Sequence, residues 1–163
     1  MQICVDDLQG PEIASLLQSH LDYSRKWSPL CSVHALGLDA LRAPQVTIWT
    51  AWDGSNLMGC GALREIEPFH GEIKSMHTVA ECRRRGVASG LLTTILDAAR
   101  NRSYRRLSLE TGSTEGFAAA RALYARFGFA ESAPFGNYVA DANSVFMTLD
   151  LSKGHIRVTG SES

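Results

Sequence analysis

The sequence predicts an α/β fold in which a mixed central β-sheet is flanked by helices. Apolar β-branched runs alternate along the chain with segments whose apolar residues recur at helical spacing. Two of the runs surround a tight turn, and others are separated by a helical segment. A tight turn joins antiparallel strands and a helical crossover joins parallel ones, so both kinds of pairing are expected. The predicted order of elements is β-α-α-β-β-β-α-β-α-β-β.

The N-terminal half is expected to contain a strand, two helices and a hairpin. The strand is "QICV", and Pro11 then opens a helix with one apolar face. A second, shorter helix is predicted within 28–44, between two prolines, with Gly37 as its least favourable residue. The runs "VTIWTAW" and "LMGCGALREI" surround "DGSN", which has strong turn chemistry, and together they predict a β-hairpin.

The C-terminal half continues with further strands and two helices. The third strand is "GEIKSMHTV", and a helix with regularly spaced apolar residues starts near Gly86. The strand "YRRLSLET" follows, then a helix from about Thr114 to Phe127 that ends near Gly128, and "NSVFMTLDL" closes the sheet. We expect one domain over 1–152 and a mobile tail over 153–163.

The composition excludes several classes of protein. A chain of 163 residues that is 45% hydrophobic and 20% charged has the size and balance of one globular domain. A net charge of -1 argues against a surface built for nucleic acid. No apolar run approaches the ~20 residues of a membrane span and the N-terminus does not resemble a signal peptide, so we expect a cytoplasmic protein. The four cysteines form no CxxC pair, which predicts reduced thiols without a zinc site.

Three arginines, Arg83 to Arg85, precede Gly86 at the junction between the third strand and the following helix. A helix N-terminus offers unpaired backbone N–H groups and the positive end of the helix dipole, and glycine lets an anion approach the backbone closely. The alternative is a solvated basic turn. Three cations at the positive end of a dipole are unfavourable without a counter-ion, so an anion site is the preferred interpretation.

The hexapeptide Arg83-Arg84-Arg85-Gly86-Val87-Ala88 resembles the Q/R-x-x-G-x-G/A motif of the GNAT superfamily of acetyl-CoA-dependent N-acetyltransferases. The segment "LYARFGF" at 123–129 is similar to the Y-x-x-x-G-F segment of that family, and the order of elements resembles the GNAT fold over about residues 2–151. The stretches "GEIKSM", "LETGS" and "PFGNY" also look similar to a subgroup of small bacterial acetyltransferases.

The resemblance implies acetyl-CoA as co-substrate and no metal. In the family, backbone amides of this loop hold the pyrophosphate of coenzyme A, and the preceding strand pairs with the pantetheine arm. Carried over to this sequence, the pyrophosphate amides belong to Arg84, Arg85, Gly86, Val87 and Ala88, with Arg83 and Ser89 as side-chain contributors, and the pantetheine strand comprises Met76, His77 and Thr78.

The resemblance also implies catalytic residues. An amine with a pKa near 10.4 is almost fully protonated at neutral pH, so a base or water chain has to remove its proton. Glu72 stands where some GNAT enzymes have their general-base glutamate, and Tyr124 matches the tyrosine that protonates the coenzyme A thiolate in many of them. The other candidate bases are His70, His77 and Glu110. A covalent route through Cys60 or Cys82 is less expected, since neither has an evident paired base.

The acceptor site is expected in the more variable parts of the chain. Its candidate residues are the aromatics Trp27, Trp49, Phe135 and Tyr138. We expect acetyl transfer to a primary amine of a small metabolite, directly within a ternary complex. The alternatives are acetylation of a protein lysine or N-terminus, and an acyl-CoA-binding module without catalysis. We expect neither a nucleic acid nor a membrane as a partner, and GNAT proteins often form homodimers.

Overall fold

The structure is a computed structural model that describes residues 1–152, and the tail expected at 153–163 lies outside them. The strands are β1 (Gln2–Val5), β2 (Val46–Asp53), β3 (Asn56–Glu67), β4 (His70–Thr78), β5 (Arg106–Gly112), β6 (Ala130–Glu131) and β7 (Ser144–Asp150). The helices are α1 (Pro11–Trp27), α2 (Leu38–Leu41), α3 (Val87–Asn101) and α4 (Ala118–Arg126), with 3-10 turns at Leu30–Ser32, Ala80–Cys82 and Glu115–Phe117.

All seven strands form one sheet in the order β1-β2-β3-β4-β5-β7-β6. Among the described residues, β4 and β5 form the one parallel pair, and α3 makes the crossover between them. The other neighbours are antiparallel, including the hairpin of β2 and β3. The predicted element order and the mixed sheet are therefore confirmed. Within residues 1–152, no helix has the length and apolar character that a membrane crossing requires.

Helices cover both faces of the sheet. The buried face of α3 comprises the residues whose spacing predicted the helix, namely Val87, Leu91, Leu92, Ile95, Leu96 and Ala99. They pack with strand residues and Tyr124 of α4 in the larger apolar core. On the opposite face, α1 and α2 pack against β2 and β3 in a second core. Each fully buried aliphatic side chain contributes about 1.5–3 kcal/mol, so these two cores fix the strands that form the site.

Strand β4 contains a bulge that changes its direction beside its neighbour. Ala62 pairs with Lys74 and Cys60 with His77, so Ser75 and Met76 together face the single residue Gly61. Ser75 adopts a left-handed backbone with φ 54°, and a Cβ on Gly61 would overlap the Met76 sulfur. The parallel pairing of β4 with β5 ends at Ile73 and Leu109, although both strands continue. The sheet therefore splits at this point.

The second predicted helix is wrong over most of its length. Only the single turn of α2 is α-helical, and a 3-10 turn, Leu30–Ser32, follows Pro29. Val33 is extended, with φ −88° and ψ 111°. Tertiary hydrogen bonds hold the segment between the two turns in this form, from Lys74 to the His34 carbonyl oxygen and from Ser32 to Asp141. The last predicted helix starts later than expected, at Ala118, and ends before Gly128, whose φ of 95° requires glycine.

Candidate active site

A cavity opens where β4 and β5 separate. Its walls come from α1, the segment that follows α1, the two separating strands and α4. The residues that line it are His20, Ser24, Ser28, Ser32, Val33, His34, Ala35, Ile73, Lys74, Ser75, Met76, Glu110, Thr111, Gly112, Phe117, Ala120 and Tyr124. Most of the cavity is therefore built from residues distant in sequence that the split sheet brings together.

Lys74 and Glu110 stand on the two separating strands, each one residue beyond the last parallel pair. Continuing that register places them opposite one another, on the face of the sheet that carries the cavity. Lys74 is 8% exposed, and burial lowers the pKa of its ammonium, with the Glu72 carboxylate opposing the shift. Burial raises the pKa of the Glu110 carboxyl. The split thus brings one cationic and one acidic side chain to the same wall.

Glu72 lies behind Lys74, outside the residues that line the cavity. It is 2% exposed, its Oε1 is 3.9 Å from Lys74 Nζ, and its Oε2 has no hydrogen-bond partner among the described residues. Its strand position still pairs with Ser108 of β5, so Glu72 precedes the split. Any influence of Glu72 on the acceptor would therefore be exerted through Lys74.

Tyr124 lines the cavity from α4 and is buried against Phe129, with ring centroids 5.8 Å apart. Burial, and then the charge of Glu110, raises the pKa of the Tyr124 hydroxyl, so the phenol stays protonated across the physiological pH range. A protonated phenol on the cavity wall can donate a proton or a hydrogen bond to a leaving thiolate.

His20 of α1 meets His77 of β4 next to the cavity, with 3.3 Å between their Nδ1 atoms. Burial lowers the pKa of His20 to about 3 and that of His77 to about 4, helped by nearby cations. Both rings are therefore neutral at pH 7, so one donates its Nδ1–H to the other. His70 lies at the first parallel pair of β4 and β5, at the end of the pairing away from the split. Its Nε2 is hydrogen-bonded to Ser108 Oγ at 2.8 Å, and it does not line the cavity.

The loop before α3 has the geometry of an anion cradle. Gly86 caps the helix in the left-handed region, with φ 78°, and Arg84 is also left-handed, with φ 61°. Gly90 donates the first intrahelical hydrogen bond, to the Gly86 carbonyl, so the N–H groups of Val87 to Ser89 have no acceptor within the helix. A Cβ on Gly86 would meet nothing within 4 Å. This open space beside unpaired amides fits a pyrophosphate.

The side chains of Arg83 and Arg85 have different partners. The guanidinium of Arg83 lies over the Tyr23 ring, 5.3 Å from its centroid, and its charge contributes to the lowered pKa of His77. Arg85 is 3.7 Å from Asp53, in a half-exposed ion pair of little energetic weight. These two guanidinium groups are engaged at separate places, and the unpaired backbone amides are the groups of the loop that suit an anion.

Replacing Gly86 with alanine is expected to weaken acetyl-CoA binding at least ~10-fold, because the left-handed backbone becomes strained at the cradle. The hairpin glycine Gly54 is a matched control: its φ is 57° and its surroundings are equally open. Both variants should lose about 1–2 kcal/mol of stability. Titration with acetyl-CoA checks the difference, and equal affinities for the two variants would contradict a cradle at Gly86.

The four aromatic residues predicted for the acceptor site separate into two groups. Tyr138 accepts a hydrogen bond from Lys74 Nζ, and Phe135 packs on Tyr138 with centroids 5.0 Å apart, so both stand beside the cavity. Trp49 is buried in the core under α3, and Trp27 packs over Gly116. None of the four lines the cavity itself.

The predicted pantetheine residues and cysteines have clear positions. Met76 lines the cavity, and His77 and Thr78 continue β4 beyond the split.

Burial raises the pKa of the Cys60 thiol to about 12, and Cys60 Sγ lies 3.2 Å from the Ser75 carbonyl oxygen. A thiol that remains protonated is a poor nucleophile, which disfavours a covalent route through Cys60.

Lys74 is one of two site residues that sequence reasoning missed. It shares a strand face with Glu72, at i and i+2, within "GEIKSM", whose other residues are uncharged. A pair of charges on one face of a buried strand is an unusual pattern, and it was the available signal. His34 was missed because it lies in the segment predicted as helix.

The family model that matches the chain is that of the acetyltransferase (GNAT) family, over residues 11–129. The "Uncharacterized N-acetyltransferase YsnE" of Bacillus subtilis (strain 168) is 52% identical over 151 residues, which cover 93% of this chain and 100% of that protein. The "Uncharacterized N-acetyltransferase YedL" of Escherichia coli (strain K12) is 44% identical over 153 residues, 94% of this chain and 96% of that protein.

A crystal structure of a GNAT family acetyltransferase from Elizabethkingia anophelis with acetyl-CoA bound has the same fold. Its TM-score is 0.69 at 18% identity, and the match covers 92% of this chain and 97% of that one. The split sheet, the glycine-capped loop and the tyrosine of α4 agree with the extended match to the family model. The chain therefore belongs to the GNAT family of acetyl-CoA-dependent N-acetyltransferases.

Proposed function

We propose that the protein transfers the acetyl group of acetyl-CoA directly to the primary amine of a small metabolite. The observation that carries the proposal is the cavity at the split of β4 and β5, which Glu110 lines from one strand and Tyr124 lines from α4. A carboxylate and a phenol around one small space supply the base and the acid that aminolysis of a thioester needs.

The residues around the cavity suit an amine. Glu72 and Glu110 contribute two carboxylates, Lys74 and, at longer range, Arg64 contribute positive charge, and the two nearby histidines are neutral. An incoming ammonium would pair with the Glu110 carboxylate on the cavity wall. The raised pKa of Glu110 makes this carboxylate a better proton acceptor than an exposed one. Glu110 therefore suits the role of general base better than Glu72, which has no place on the cavity wall.

In the proposed reaction, Glu110 takes one proton from the acceptor ammonium, either directly or through a water. Acetyl-CoA supplies the acyl group as a thioester. The acceptor nitrogen forms a bond to the carbonyl carbon as the carbon–sulfur bond breaks. Tyr124 gives its hydroxyl proton to the departing thiolate, and the second proton that the nitrogen loses on becoming an amide returns to the Tyr124 oxygen, so that charge does not remain in the buried cavity.

The walls of the cavity favour a small acceptor over a protein. The segment after α1 and the residues around Tyr138 cover the face of the sheet on which Lys74 lies, and Lys74 hydrogen-bonds to both. A lysine on a protein surface would have to enter between these two segments. The homodimer remains a prediction.

We test this function with two measurements on the wild-type protein. Saturating acetyl-CoA should raise the melting temperature, by several degrees at about 100 times the dissociation constant. A panel of small amines and amino acids is scored by release of free coenzyme A. Some of these amines should cause release, and the release should require both acetyl-CoA and the amine. Absence of a thermal shift would argue against acetyl-CoA binding, and a shift without any acceptor would favour a non-catalytic module.

A further inference from the structure

We infer that Lys74 binds a carboxylate of the acceptor, so that the preferred acceptors are amino acids whose carboxylate lies next to the primary amine. The inference rests on the proposed function and names the substrate class of the same cavity. It follows from the contacts of Lys74, from the position of Glu110 and from the cost of burying a lysine.

Lys74 Nζ donates to the His34 carbonyl oxygen at 2.9 Å and to the Tyr138 hydroxyl at 2.8 Å. An ammonium has three protons. Glu72 Oε1, at 3.9 Å, is too far away to accept the third in a hydrogen bond. Within residues 1–152, one proton of a buried ammonium therefore has no acceptor, and the side chain that carries it lines the cavity.

A purely structural role does not explain a lysine at this position. Burying a charge costs several kcal/mol, and a buried ion pair rarely stabilises a fold more than apolar side chains of similar volume. The attraction of Glu72, whose Oε1 is 3.9 Å from Lys74 Nζ, offsets only part of that cost. Burial therefore still lowers the pKa of Lys74. A substrate carboxylate would accept the third proton of the ammonium in a charged hydrogen bond.

The orientation of Lys74 is fixed from two sides. His34 and Tyr138 pack edge to face, with ring centroids 5.0 Å apart, and both give an oxygen to the ammonium. Tyr138 also packs against Phe135 and Phe146. The ammonium is thus held in one place before a substrate arrives, so little side-chain entropy is lost on binding.

The distance to the amine follows from the sheet. Lys74 and Glu110 would form the next parallel pair after Ile73 and Leu109, and paired strands lie about 4.8 Å apart where a split starts. Opposite charges on adjacent strands fit an ammonium and a carboxylate attached to the same carbon. With Glu110 on the amine and Lys74 on the carboxylate, the acceptor nitrogen is directed toward the centre of the split.

The test compares each protein amino acid that has a primary amine with its carboxamide and with its decarboxylated amine, at one pH and with saturating acetyl-CoA. For wild-type protein, kcat/KM should be about 10–100 times higher for the free carboxylates, the range expected for one charged hydrogen bond. Carboxamides have the less basic amine, so the availability of the free amine alone would favour them. Equal values across each set, with acetylation occurring, would overturn the inference and leave the proposed function intact.

The variants Lys74→Met and Lys74→Arg complete the test. The methionine variant should lose the preference for the carboxylate while its thermal shift with acetyl-CoA stays that of wild type, and the arginine variant should restore part of the preference. Because Lys74→Met leaves Glu72 buried without its counter-charge, the double variant Lys74→Met/Glu72→Gln is measured as well. A carboxylate preference that survives in the folded variants would exclude Lys74 as its source. If no amine is acetylated and acetyl-CoA does not bind, the proposed function itself fails.

Discussion

Replacing Tyr124 with phenylalanine is expected to lower kcat about 100-fold and to change acetyl-CoA affinity by less than about threefold. The phenol is buried on the cavity wall, and burial raises its pKa, so it stays protonated and is the donor to the departing thiolate in the proposed reaction. Phenylalanine keeps the packing on Phe129 and removes only the hydroxyl. Steady-state kinetics across pH, with acetyl-CoA titrations, measure both quantities.

Tyr104 supplies the matched control for this prediction. It is a buried tyrosine in the same apolar core, but it lies outside the cavity, two residues before β5. Tyr104→Phe should keep the turnover of wild type. If Tyr124→Phe also keeps it at every pH, the thiolate leaves without help from this tyrosine and the hydroxyl is a packing feature.

The parts of the fold that sequence predicted are those with local causes. The apolar face of α3 appears in the spacing of its residues, and the stop of α4 appears in Gly128, because helix period and left-handed glycine act within a few residues. The prediction of a helix around His34 failed for the opposite reason, because its cause is not local. The conformation of this segment is decided by contacts with Lys74 and, through Ser32, with Asp141, both distant in sequence.

The candidate site also contains some features that the sequence predicts and others that it does not. The loop at Gly86 was predictable because a glycine at a strand–helix junction has a local meaning. The choice between Glu72 and Glu110 was not predictable, because both lie on the cavity-bearing face of the sheet. What separates them is where the pairing of β4 and β5 ends, and that depends on the bulge at Ser75 and on the packing of Met76 over Gly61. Such features of register arise only in the assembled sheet.

Replacing Glu110 with glutamine is expected to lower kcat/KM for the acceptor by about 100- to 1,000-fold, within the usual range for loss of a general base. In the wild type, Glu110 works as a base only when it is ionised. Activity should therefore fall as the pH drops through the pKa of this carboxyl, which burial places above that of an ordinary glutamate. Glutamine cannot titrate, so this acidic limb should disappear from the pH profile of the variant.

The rival assignment is tested by Glu72→Gln measured in parallel. If Glu72 were the base, its glutamine variant would lose the acidic limb and Glu110→Gln would keep it. Our geometry predicts the reverse: Glu72→Gln retains the limb, and its main effects are on stability and on acceptor affinity, because Lys74 loses its buried counter-charge. If neither variant loses the acidic limb, a water chain is the proton acceptor. The two carboxylates then serve only to place negative charge around Lys74.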